Sequence, residues 1–378
     1  MSDQLRFGSI FALGVRLLLS RHRRRDRGPA AGEENFAMPF ARFARIAAAL
    51  IGTLACGFAS AQSAPPAVDK VTFGTNWIAE AELGGFYQAI ADRTYAKYGI
   101  DVTIVPGGPN VNNRMMLGLG KIDFFISANT LQAFDAVAND VPTVIVAAMF
   151  QKDPQVLLAH PGTGLQSFED LKRLTLYASK EGLAGYFQWL KAEFGFRDDR
   201  VKPYASDLQA FIADKQSALQ GYVTSEPYVI EKTARIKPIV FLLADQGFSG
   251  YSTLIETRRD LIDDKPGLVQ RFVDASIIGW YNYLYGDPGP GNGLIKKNNP
   301  EMNDELIAYS AARMKEHGIV DSGDALTLGI GAITDARMIG FFDKMVRAGV
   351  VKPTVDFRRA YTLQFVNKKV GLDLRPKK

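Results

Sequence analysis

An indole, two carboxylates and a phenol (Trp77, Glu80, Glu82 and Tyr87) stand close together in the stretch NWIAEAELGGFYQA, residues 76–89. The stretch follows a run of β-type residues, Val71, Thr72 and Phe73, and leads into a helical pattern. An indole face stacks on flat rings, so Trp77 suits a platform for an aromatic ligand, and farther along the chain Glu226, a carboxylate that follows an apolar strand, suits amidine-like or amino N–H groups. Each residue also has a plainer reading. Trp77 and Tyr87 can serve as packing aromatics, and Glu80 and Glu82 can complement the positive end of the helix that follows. Two neighbouring carboxylates also suit acid–base chemistry on a glycoside, but nothing else in the chain supports a glycosidase.

The same device, a polar or small residue between an apolar run and a helix, recurs down the chain. PGGPNVNN (106–113) and SANTLQAF (127–134, with Asn129) are two cases, and ASKEGLAGYFQWL (178–190, with Ser179 and Lys180) is a third. QGYVTSEPYVIEK (220–232) brings Tyr222, Thr224 and Glu226 to a fourth such turn, with Pro227 suited to a first helical turn. Ordinary capping accounts for Ser179 and Glu226 as well as ligand binding does. Lys152 and Lys180 are the residues that would instead meet a carboxylate or sulfonate. Strand ends that open onto helices are where α/β proteins bind ligands, so the three of the first series, 76–89, 106–113 and 127–134, together weigh more than any one.

Around these turns, short β-rich runs alternate with helical ones. Strands are predicted at 71–76, 101–106, 122–128 and 142–149, with helices at 84–97, 111–119 and 130–138 between them. A second such series runs from QVLLAH (155–160) to PIVFLLA (238–244), and after a strand at 251–256 the chain is mostly amphipathic helix from Pro266 to about Ala348. This pattern predicts two α/β units with parallel sheet and crossover helices.

Composition narrows the function. The formal charge of +5 sits in residues 1–61, which hold nine Arg against four acids; the remainder carries 36 basic and 36 acidic residues, so a polyanionic partner such as nucleic acid is not expected. The three histidines, His22, His160 and His317, are scattered, and neither HExxH, a calcium loop nor GxSxG is present. Neither a metal, a cofactor nor catalysis is expected.

The N-terminal region reads as targeting. From Met38, two arginines precede an apolar run, Ile46–Phe58, and a small-x-small site, Ala59-Ser60-Ala61, which predicts a secretory signal over residues 38–61 cleaved before Gln62. Residues 1–37 then read as an extension ahead of the true start, and the runs are too short to span a membrane. The only cysteine, Cys56, lies inside the signal in TLACG, where Thr53 departs from a lipid-acceptor site, so the mature chain has no thiol.

The succession TNWIAEAELGGFYQAIADRTYAKYGIDVTIVPGG, GKIDFFISA and VPTVIVAAMFQKDPQVLLAHPGTGLQSFEDLK resembles the type II periplasmic solute-binding proteins of ABC importers, in the group that binds nitrate, sulfonates and pyrimidine precursors of thiamine. The resemblance implies an α/β, two-lobed fold in which each lobe is a mostly parallel sheet flanked by helices, with the ligand cleft between lobes. It implies one lobe from residues 68–158 plus 250–378 and another from 159–249, with hinges near 159–164 and 245–251. It further implies a periplasmic monomer that hands a small molecule to a permease and its ATPase. Asn76 and Trp77 match the family's first strand end, Tyr87 its helix tyrosine, Ser127–Asn129 its second cleft loop and Glu226 its second-lobe glutamate; Glu82 stands where an amide is usual, and Asn76 where an Asp is usual. Leu83 replaces a histidine seen in some members, which leaves the ligand open between a pyrimidine-like heteroaromatic and a sulfonate, nitrate or aromatic carboxylate. A ligand-sensing module for a membrane receptor is the rival role. Fungal enzymes of this fold that make the thiamine pyrimidine carry a cysteine-rich motif that this chain lacks.

Overall fold

The computed structural model describes residues 68–108, 111–204 and 207–377, all within the compact unit Gln62–Lys378. The expected signal, the choice of start and Cys56 lie outside the described residues. The alternating pattern resolves into β1 (Asp69–Gly74), β2 (Ile100–Val105), β3 (Phe124–Asn129), β4 (Thr143–Phe150), β5 (Gln155–Ala159), β6 (Thr175–Ala178), β7 (Val201–Pro203), β8 (Ser217–Tyr222), β9 (Ile239–Leu242) and β10 (Ser252–Arg258). These form two five-stranded sheets in the orders β2-β1-β3-β10-β4 and β7-β6-β8-β5-β9.

Both sheets follow one plan. The pairs β1–β2, β1–β3, β6–β7 and β6–β8 are parallel, as connections through helices require. In each sheet the strand that brings the chain across from the other sheet, β10 or β5, is antiparallel to both its neighbours. The fold is the two-lobed α/β arrangement, with one reversed strand per mostly parallel sheet. The first crossing lies earlier than 159–164, because Gln155–Ala159 pairs along its length with β8 and β9. The chain passes between sheets at Gln151–Pro154, and it returns through the turn Leu243–Gln246 and on to Tyr251. The second α/β series that opens with QVLLAH therefore lies in the second sheet from its first strand.

The first lobe is built on the helix Pro266–Tyr285, with Pro266 in the first turn, where a missing N–H costs nothing. Phe272 of this helix stacks on Phe124 with ring centroids 3.9 Å apart, and on Tyr95 at 5.4 Å. Its far end explains Gly84 and Gly85. A Cβ at Gly84 would lie 2.2 Å from the Tyr283 ring and one at Gly85 2.3 Å from the Trp280 ring. The pair therefore lets the helix Gly84–Ala91 lie directly against the long helix. The single helix expected over 84–97 breaks at Arg93, whose φ of 62° is left-handed, and resumes as Thr94–Lys97.

Candidate functional site

β1 ends at Gly74, and its continuation is braced before Trp77 is reached. Thr75 Oγ1 donates to the Trp77 carbonyl at 2.7 Å and accepts from the Gly107 N–H at 2.9 Å, while Asn113 Nδ2 donates to the Thr75 carbonyl at 2.9 Å. A Cβ at Gly107 would come within 2.4 Å of the Thr75 carbonyl oxygen, so glycine alone permits this approach. The Gly-Gly turn thus directs its amide at β1 and not toward an anion. Beyond the brace, Trp77 is 40% exposed, a large apolar face left open to solvent. Its indole N–H lies beside the Glu80 carboxylate. Asn76 instead lines a shallow groove with Asn112, Arg114, Phe125 and Gln132. Tyr87 is buried in the core of the first lobe, so the packing reading of this residue is the one realised.

In the second lobe, β8 delivers Tyr222 to the same region. Glu226 folds back beneath it: its Oε2 accepts from the Tyr222 N–H at 2.6 Å and from Ser225 Oγ at 2.5 Å. A Cβ at Gly221 would lie 2.8 Å from the Glu226 side chain, so that glycine makes the room. Ser179 Oγ accepts from the Gly182 N–H at 3.1 Å as a helix cap, and its own N–H donates to Gln220 Oε1 at 2.7 Å. The Tyr186 hydroxyl donates to the same oxygen at 2.9 Å. Asn129 caps the helix Thr130–Ala138 through the Leu131 N–H at 3.1 Å. Capping and site-building coincide here, since each cap holds a strand end rigid.

The electrostatics draw these ends together. Burial, followed by the charges of Asp153, Glu82, Glu226 and Glu80, drives the Tyr222 phenol well above its ordinary value. Burial and the nearby Glu82 and Glu226 charges hold Glu80 well above the usual carboxylate range. Burial also raises Glu82, with the neighbouring Thr224 pulling the other way. Glu82 is 9% exposed, and its Oε1 lacks a hydrogen-bond partner, as does the Tyr283 hydroxyl. Asp153, 3% exposed, is pushed up to about 6 by burial. No lysine or arginine is among the groups acting on Glu80, Glu82, Asp153 or Tyr222. Four carboxyl groups from both lobes and the crossing thus act on one phenol, with no cation among them to pair a buried anion. Among the described residues no three His, Cys, Asp or Glu side chains sit closely enough to hold a metal ion.

The lysines are elsewhere. Lys152 Nζ meets Asp245 Oδ1 at 2.7 Å and so joins the two crossings, and Lys180 is exposed in a first helical turn. Around the crossings Arg337 donates to the Ser249 carbonyl at 2.9 Å, the Gly250 carbonyl at 3.3 Å and the Gln151 carbonyl, with its guanidinium 4.0 Å over the Tyr251 ring. Farther out, the Tyr228 hydroxyl and Lys232 Nζ of the second lobe each reach Glu305 Oε2 at 2.7 Å, and Ser310 Oγ donates to the Thr224 carbonyl at 2.7 Å. Of the residues singled out in the sequence, Trp77, Glu82, Tyr222 and Glu226 come together around the cleft, with Asn129 and Ser179 at its edge. Asp153 and Gln220 were missed. The one signal for Asp153 is an Asp-Pro pair between two apolar runs, FQKDPQV.

Known proteins share this architecture. The riboflavin-binding protein RibY of Chloroflexus aurantiacus is 23% identical over 316 residues, 82% of this chain and 89% of that one. The aliphatic sulphonate-binding protein SsuA of Escherichia coli superposes with a TM-score of 0.57 at 15% identity, over 77% of this chain and 91% of that one. A desulfurization enzyme, DSZB, superposes with a TM-score of 0.51 at 13% identity, over 81% and 99% of the two chains. The two superpositions establish the fold, which serves binding and catalysis alike. The NMT1/THI5-like family model matches residues 80–289, which include the Glu80–Glu82 loop, the Asp153 crossing and the Tyr222–Glu226 turn, and this chain belongs to that family.

Proposed function

We propose that the chain is the periplasmic solute-binding component of an ABC importer, and that it captures a flat nitrogen heteroaromatic molecule between its lobes for delivery to a membrane permease and its ATPase. The family match, the fold shared with periplasmic binding proteins and a relative named for riboflavin binding all support the importer role. The observation that carries the ligand class is the gathering of Glu80, Glu82, Asp153 and Glu226 around Tyr222, close to an exposed Trp77. A heteroaromatic ring stacks on the indole while its N–H edge meets the carboxylates, of which Glu82 Oε1 is buried without a hydrogen-bond partner. A sulfonate, nitrate or carboxylate entering the same place would bury an anion among carboxylates, at a cost of several kcal/mol without a cation to pair it. Because the contacts come from both lobes, with Trp77, Glu80 and Glu82 on the first and Tyr222 and Glu226 on the second, the ligand favours the closed form, and lobe closure is what the permease reads.

A thermal-shift screen of the chain from Gln62 onward tests this, with riboflavin and aminopyrimidines set against alkanesulfonates, nitrate and benzoate. A ligand at 100 times its Kd stabilises the protein by about 2.7 kcal/mol. The expected outcome is a shift with a heteroaromatic that disappears in Trp77→Ala. A shift with a sulfonate alone, unchanged in that variant, sinks the proposal.

A further inference from the structure

We infer that Glu305, which lies apart from the residues gathered at the cleft, is a positioning residue that sets ligand affinity: with Tyr309 and Ser310 it makes the helix Asp304–Glu316 a latch that holds the second lobe against the first. This rests on capture by lobe closure, proposed above, and adds a second set of contacts that favour the closed form without meeting the ligand. The helix is moored on the first lobe. Asp304 meets Lys296 of the preceding helix, Gly289–Asn298, at 2.5 Å, and the Gly291 N–H of that helix donates to Gln88 Oε1 at 3.0 Å. Between the two helices, Asn299 Nδ2 donates to the Ala79 carbonyl at 2.9 Å. Beyond its other end the chain is tied to the first crossing, because the Ile319 carbonyl accepts from the Gln151 and Lys152 N–H groups at 2.7 and 3.0 Å.

From this mooring the helix reaches across to the second lobe. Ser310 Oγ shares its proton between the Leu306 carbonyl of its own helix at 2.8 Å and the Thr224 carbonyl, in the turn after β8, at 2.7 Å. The Tyr309 and Tyr228 rings lie with centroids 5.3 Å apart. Glu305 Oε2 accepts from the Tyr228 hydroxyl and from Lys232 Nζ, each at 2.7 Å. Tyr228 and Lys232 stand one turn apart on the helix Glu226–Ala234, as Glu305 and Tyr309 do on theirs, so the two helix faces match turn for turn. Counted back from Glu316 at ~1.5 Å per residue, Glu305 lies about 16 Å up the helix from the end tied to the crossing. It therefore sits where a rotation of the lobes about the crossings displaces the helix most. The ion pair is open to solvent, with the Glu305 side chain 69% and the Lys232 side chain 53% exposed. A pair of that kind contributes little to folding and weakens with salt, so it suits adjustment of an open–closed balance better than support of the fold.

The test is pulsed dipolar spectroscopy of the unliganded chain from Gln62 onward, which has no cysteine of its own, spin-labelled through D101C on β2 and K172C ahead of β6, both exposed positions. E305K is expected to lower the ratio of closed to open form about fivefold, and the swapped pair E305K/K232E to restore it. Raising the salt to about 0.5 M should move the wild-type chain the same way, a readout that needs no substitution in the latch. Melting temperatures of the three chains should agree within about 2 °C, which separates the latch from a merely structural contact. In titration calorimetry with riboflavin and 4-aminopyrimidine, E305K should weaken whichever ring binds by the same factor. Distance distributions that are alike in wild type and E305K and indifferent to salt overturn the inference, whatever the chain binds. A shift in E305K that K232E leaves unreversed overturns it too, because the effect then lies outside the pair. Opening by E305K and reclosure in the swapped pair, with neither ring bound, sustain the latch and sink the heteroaromatic reading instead.

Discussion

Arg337 and Glu82 are both charged side chains where the two lobes adjoin, yet their surroundings are opposite in kind. Arg337 reaches carbonyl oxygens on both crossings, the Gln151 side chain at 3.3 Å and the face of Tyr251, and Asp324 stands 4.0 Å away. Around it Lys344 Nζ donates to the Gly247 carbonyl at 2.5 Å, and Phe248 sits between Trp189 of one lobe and Phe341 of the other, with ring centroids 5.3 Å from each. Glu82, by contrast, is buried with one oxygen unpartnered, beside the Tyr283 hydroxyl in the same condition and in the company of three more carboxylates. A region whose polar groups are satisfied among themselves is built for stability. One whose polar groups are left in want of donors is built for something that arrives later, at a cost in stability while it waits.

That contrast can be broken most severely at the hinge. Arg337→Ala removes the donors that reach the Ser249, Gly250 and Gln151 carbonyls on both crossings, so a loss of about 3 kcal/mol is expected in urea denaturation. A loss under about 1 kcal/mol would mean that the crossings are held by packing alone.

The next effect is one of pH. Burial raises Asp153 from 3.8 to about 6, so the folded protein binds more protons than the unfolded one between those values. Stability therefore falls as pH rises, the penalty being absent below about pH 4, complete above about pH 6, and on the order of 2–3 kcal/mol. Glu80 and Glu82 shift in the same direction and add to it. Unliganded protein should consequently melt at higher temperature at pH 5 than at pH 7.5, and Asp153→Asn should flatten much of the difference. A profile that rises between these pH values contradicts the cleft as described.

Glu82→Gln separates the regions more finely. Replacing a buried charge by an amide should stabilise the unliganded protein by about 1 kcal/mol at pH 7.5 while weakening ligand binding, a combination that no hinge substitution should give. Trp77→Ala should change stability by less than about 0.5 kcal/mol, because the indole is exposed, and lower heteroaromatic affinity by about 1–2 kcal/mol, read by titration calorimetry. The smallest effect belongs to Lys152→Ala. Its pair with Asp245 is partly exposed, so a change of at most about 1 kcal/mol, shrinking with added salt, is expected.

The fold was legible because its signals are local. The period-2 runs, the Pro266 start and the alternation of strand and helix are written within a few residues of where they act. The cleft was only partly legible. Trp77, Glu82, Tyr222 and Glu226 announced themselves as unusual types at strand ends. Tyr87 has the same credentials but lies buried, because Gly84 and Gly85 draw its helix tightly against Trp280 and Tyr283, nearly two hundred residues away. Lys152 was a credible anion ligand until the return crossing brought Asp245 to it.

By itself the sequence determined the alternation of strands and helices, that two α/β units follow one another, and that the acids and bases beyond residue 61 balance. Only the tertiary structure decided that Gly107 braces β1, that Lys152 meets Asp245, and that Tyr87 is buried. Each depends on a pairing or a close approach between segments far apart in the chain. The charge balance hid the local excess for the same reason: net charge is a sum over residues, while the field in a cleft depends on which of them the fold brings together and shields from water.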